Sequence, residues 1–176
     1  MSFRPLFQFV DALPSSLALR ESLDGYTYML TTHVLGMALF AGLVAMMDVR
    51  LAGLGNLGTP VTQIQKRLFP WQVFGVLVSF TSGVLIVYSD PMRYFTNFYF
   101  WLKMILIVVA VVNLVWFHFT TYSSVAEWDN DPVPPSAARL AGYFSLGLWA
   151  MIIFFGRMEA YSGLVPQWWV NLKIGA

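Results

Sequence analysis

His33 and His118 are the only histidines in the chain, and each falls inside a long run of apolar residues. A polar ring is costly in hydrocarbon unless it has a partner or a task, and imidazole is the usual axial ligand of a b-type haem held without covalent attachment. Lys103 and Asn113 are the other polar groups within such runs. Lys103 has three readings: a partner for a haem propionate, an axial ligand if deprotonated, or a cation that snorkels along its own stem to an interface about 8 Å away. A lone membrane His or Asn also commonly makes an interhelical hydrogen bond, so a structural reading stands beside the ligand reading of each.

The elements that must carry these groups are membrane helices. Of the 176 residues 58% are hydrophobic and only 11% charged, far from the mix of a soluble domain. The expected fold is all-α, an integral membrane four-helix bundle with a short N-terminal amphipathic segment, forming a single transmembrane domain over 1–176. The spans are expected at about 26–48, 70–89, 98–119 and 139–157. Each approaches the roughly 20 residues that a hydrocarbon core requires, and each must be a helix because an isolated strand cannot satisfy its backbone in lipid. Phe69-Pro70 and Asp90-Pro91 bound the second run, since proline ends a helix. Ahead of the first run, Phe3, Leu6, Phe7 and Phe9 interleave with Arg4, Asp11, Arg20 and Glu21, a pattern suited to the membrane interface and broken at Pro14. No basic leader with an apolar core and a small-residue cleavage site marks a removable signal peptide.

Without cysteine there is no disulfide framework, thiolate metal site, iron–sulfur cluster or covalently attached haem. The net charge of +1 does not suggest nucleic acid. Arg50, Lys66, Arg67 and Arg139 fall on one side of the bilayer and Arg4, Arg20, Arg93, Arg157 and Lys173 on the other, so the positive-inside rule sets no orientation.

Depth along the helices sorts the candidates. His33 lies seven residues into the first span and His118 twenty residues into the parallel third, an offset of roughly 20 Å at 1.5 Å per residue. One iron within a protomer cannot reach both. Lys103 and Met151 share the depth of His33, whereas Met46, Met47 and Arg50 share that of His118. Two half-sites, one near each surface, would suit a transmembrane electron path, with Arg157 and Arg50 at the two ends as partners for propionates. Methionines commonly just fill gaps in a core. Gly75, Ser79 and Gly83, at four-residue spacing, point to close helix packing.

The run 17–54, with His-Val-Leu-Gly and a later Asp-x-Arg-Leu, resembles the opening of a family of small bacterial four-helix membrane proteins of unassigned function. The segment 94–118, with Asn97, Lys103, Asn113 and the terminal His118, resembles that family's third helix. The layout is more distantly similar to the J-type protoporphyrinogen IX oxidase and to the membrane domain of copper-resistance protein D. His33, Ala41-Gly42-Leu43, Arg50 and Lys103 match the oxidase type's His, small-residue stretch, basic residue and helix-three Lys, which implies b-type haem and redox chemistry at the His and Lys side. The oxidase-type lead into helix three is only partly matched by Phe100-Trp101-Leu102, and oxidase activity is not carried over.

The expected function is therefore a b-type haem-binding membrane protein or subunit, with one or two haems and metal ligation by His33 and His118. It would mediate electron transfer, exchanging electrons with quinone, in a larger membrane complex or homo-oligomer of the bacterial inner membrane, and it has no catalytic motif of its own. The alternative is a non-catalytic structural or assembly subunit. Transport of copper or another ion fits less well, because no acidic residue lies within the spans and the methionines form no cage.

Overall fold

The computed structural model describes residues 3–161, 165–166 and 168–169, so Lys173 lies outside the described residues. It is all-α: α1 (Arg4–Asp11), α2 (Pro14–Glu21), α3 (Leu23–Leu51), α4 (Val61–Ser89), α5 (Pro91–Thr96), α6 (Phe98–Thr120), a 3-10 turn Tyr122–Ser124, α7 (Val125–Trp128) and α8 (Ser136–Met158). Among the described residues four helices, α3, α4, α6 and α8, are long and apolar enough to cross a bilayer. The chain is a multi-pass membrane protein built on four such helices.

α3 is the central helix, with α4 packed on one side and α8 on the other, while α6 packs on α8. α4 and α6 are not a packed pair along their lengths. They meet through side chains near α5, where Ile86, Tyr94 and Phe100 share one buried cluster with Met29 of α3. In lipid, apolar surface gives no preference for helix over solvent, so association rests on close packing of small residues. Such residues are found at both faces of α3. A Cβ on Gly36 would meet the Ser79 backbone nitrogen at 3.0 Å, and one on Gly142 of α8 would meet the Asp48 carbonyl oxygen at 2.8 Å.

Two boundaries differ from the sequence reading. α4 begins at Val61 rather than near residue 70 and runs straight through Pro70. Proline removes one backbone donor, a loss that membrane helices tolerate when the remainder of the helix is held by tertiary contacts. Here the added turns are held by Asp129, whose carboxylate accepts from the Thr62 amide (2.8 Å) and hydroxyl (2.6 Å), and by burial of Val61 and Ile64. α3 likewise continues through Leu51, which places Asp48 and Arg50 inside the helix and buried. That removes the premise that no acidic side chain lies within the spans.

The amphipathic N-terminus is two helices, broken at Pro14 as expected, with that proline opening the second. The Ser16 hydroxyl donates to the Tyr88 carbonyl oxygen at 2.8 Å, and Arg20 bridges Asp11 (2.8 Å) and Asp90 (3.6 Å). The pair is thereby fixed across the C-terminal end of α4, with Phe3, Leu6 and Phe9 exposed on one face of α1.

The close approach of α8 to α3 generates a matched comparison. Gly142→Ala is expected to destabilise the fold by about 1–3 kcal/mol, because the new methyl meets backbone that cannot swing aside. Gly147→Ala, where nothing lies within 4 Å, is expected to be neutral or to stabilise by up to about 1 kcal/mol through helix propensity. Thermal unfolding of both variants in detergent micelles measures the difference.

Candidate functional site

His33 stands at the meeting of three helices. Gly36 faces α4, and Met37 packs on the cluster formed by Ala110 of α6 with Leu148 and Ile152 of α8. A residue one turn earlier, at i−3 and i−4 from these two, points between them. The ring lies against Gly83 of α4, where a Cβ would meet its Cε1 at 3.0 Å. His33 Nδ1 is 2.8 Å from the Ser79 carbonyl oxygen and 3.3 Å from the Ser82 hydroxyl. A carbonyl only accepts, so Nδ1 carries the proton and Nε2 carries the lone pair. Among the described residues no hydrogen bond reaches Nε2. The interhelical hydrogen bond expected of a membrane histidine is thus present, and it leaves the second nitrogen available.

Lys103 of α6 is close enough to act electrostatically on His33. Its Nζ forms an ion pair with Glu159 Oε1 at 2.6 Å, just past the end of α8, and its ammonium lies 5.8 Å from the centre of the Phe100 ring. Both side chains of the pair are largely buried, at 17% and 13% exposed. Burial holds the Glu159 carboxyl above the ordinary range, opposed by the Lys103 charge and its hydrogen bond. Asn97 ties the same corner together. Its Oδ1 caps α6 by accepting from the Tyr99 (2.9 Å) and Phe100 (3.3 Å) amides, while its Nδ2 donates to the Glu159 carbonyl at 3.0 Å. Tyr94, also buried, lies beside Tyr26 of α3, and burial raises its phenol above the usual range.

The remaining sequence candidates are distributed elsewhere. Met151, on α8, is 42% exposed on the outer face. Arg157 donates to the Tyr161 hydroxyl at 3.1 Å and lies over that ring. His118 is exposed near the far end of α6, stacked on Tyr122 with centroids 5.5 Å apart. It stands fifteen residues beyond Lys103 on one helix, about 22 Å away, so the two histidines are at opposite ends. Met47 is buried with Phe117, Val61 and Trp128 in an apolar cluster at that far end. Arg50 is fully buried: its Nε donates to the Thr59 carbonyl (2.9 Å) and its Nη2 to those of Asp131 (3.0 Å) and Asp129 (3.4 Å), with Nη1 unpaired. Its donors therefore bind the two loops of that end to each other. Asn113 crosses from α6 to the Ala141 carbonyl of α8 at 3.4 Å.

Sequence reading paired His33 with Lys103 by depth but missed Glu159, Tyr94 and Tyr26. The same arithmetic carries a signal for Glu159, since a residue just past an antiparallel helix that ends near Lys103 must arrive beside it. No protein family, curated protein or solved structure matches this chain. Among the described residues no three His, Cys, Asp or Glu side chains converge to hold a metal ion.

The Lys103–Glu159 pair is open to a thermodynamic cycle. Lys103→Met is expected to destabilise by about 2–3 kcal/mol, because it leaves a carboxylate buried without its cation, and adding Glu159→Gln is expected to recover most of that loss. The folded protein binds the Glu159 proton more tightly than the unfolded chain, so stability falls as pH rises past the ordinary glutamate range. Glu159→Gln should flatten that decline. Denaturant unfolding in micelles at several pH values reads both effects.

Proposed function

We propose that the chain is a membrane electron carrier holding one b-type haem on His33. The observation that carries this reading is the orientation of the imidazole. A carbonyl acceptor on Nδ1 fixes the tautomer and turns Nε2 into the ligating atom, the arrangement that metal-bound histidines generally adopt.

The surroundings fit the group in two further respects. Lys103, within electrostatic range of His33, is a cation that a propionate could share with Glu159. α4 and α6, which would flank a flat macrocycle at this position, are not packed along their lengths. When bound, the haem would supply a one-electron couple, and this chain would hold it through His33, orient the ring through Ser79 and balance its charge through Lys103. A quinone dissolved in the bilayer is the class of partner such a carrier would serve. The reading uses His33 alone, because His118 is exposed at the other end of α6.

The test is an optical spectrum of the detergent-purified full-length protein from haem-producing cells. A Soret band, a b-type pyridine haemochrome, their loss in His33→Ala and their retention in His118→Ala are expected. A wild-type protein that folds but shows neither signal overturns the proposal. In that case, lost assembly of His33→Ala would assign the ring to helix packing, the structural-subunit reading.

A further inference from the structure

Asp48 is a buried carboxyl that neither the fold nor the proposed haem site uses. It lies in the last turn of α3, 6% exposed, where the main chains of α3 and α8 come closest. The Ser145 hydroxyl of α8 lies near the carboxyl, and Oδ2 is buried with no hydrogen-bond partner.

A bare carboxylate in such surroundings is among the most costly groups a membrane protein can hold, and it is stabilised only by a cation or by taking up a proton. Among the described residues no basic side chain fills that role. Arg50, two residues on, is turned about 200° away around the helix and engages the loop carbonyls. On the packed elements, Arg139 of α8 lies beside Gly53 and is exposed, as are Lys66 and Arg67 of α4 and His118 of α6. The acidic groups of the facing loop are Glu127, Asp129 and Asp131, and the Asp129 carboxylate caps α4.

We infer that Asp48 and Ser145 form an intramembrane site for a monovalent cation, the proton or sodium, between α3 and α8. The site is independent of haem, since it stands at the end of α3 away from His33. An oxygen with no donor, enclosed by two helices and adjoining a hydroxyl, is the chemistry that binds such an ion. The exposed ends of the neighbouring helices give a short route to the surface.

The experiment treats the full-length protein in micelles with dicyclohexylcarbodiimide, which couples to protonated carboxyls in apolar surroundings, and maps the adduct by mass spectrometry. In parallel, infrared difference spectra record the protonated-carboxyl band. Asp48→Asn, close in shape to the native residue, is the control. An adduct and a band that vanish in Asp48→Asn and fade as pH is raised, without response to sodium, assign a proton. The same signals displaced by sodium at constant pH, with that displacement lost in Ser145→Ala, assign a sodium site. Absence of both adduct and band, together with no response of the infrared spectrum to sodium, overturns the inference.

Discussion

The whole arrangement depends on how closely α3 can be approached from two sides. Lipid is as apolar as leucine, so nothing pushes these helices together, and they adhere only where main chains can nearly touch. Gly36 and Gly75 permit that toward α4, and Gly142 permits it toward α8. The polar contacts follow from the same proximity. Only at such a separation can a His33 ring on α3 reach the Ser79 carbonyl of α4, and only there does the Ser145 hydroxyl of α8 come near the carboxyl of Asp48.

The two ends of the bundle manage their charges differently. At the His33 end the charges are paired with one another, Lys103 with Glu159 and Arg20 with Asp11 and Asp90. At the other end the burden falls on main-chain groups, with one guanidinium donating to the carbonyls of two loops and one carboxylate accepting from a helix N-terminus. At the first, each charge is neutralised by a side chain of opposite sign. The second is a clamp.

Helix number and type were legible in the sequence because hydrocarbon leaves a chain few choices, and the length of each apolar run suffices to mark a helix. The pairing of His33 with Lys103 was legible too, since depth in an antiparallel bundle follows from counting at a constant rise. Helix ends were not. Pro70 reads as a stop locally, yet the helix passes through it because Asp129, far away in the sequence, caps the earlier turns. For the same reason Asp48 read as lying at the edge of a span, when packing against α8 carries α3 past it. Glu159 was missed because its role arises from a neighbour fifty-six positions earlier and from no local pattern.

Arg50 also bears on the order in which the molecule is made. Two of the three acceptors it uses, at Asp129 and Asp131, are synthesised about eighty residues later, after α6 has been threaded into the bilayer. Until then the α3–α4 hairpin emerges with a guanidinium held by the Thr59 carbonyl alone and an uncapped Thr62 amide at its tip. The early hairpin is consequently a provisional structure on the ribosome, and the segment 129–131 acts as the latch that closes it from the C-terminal half.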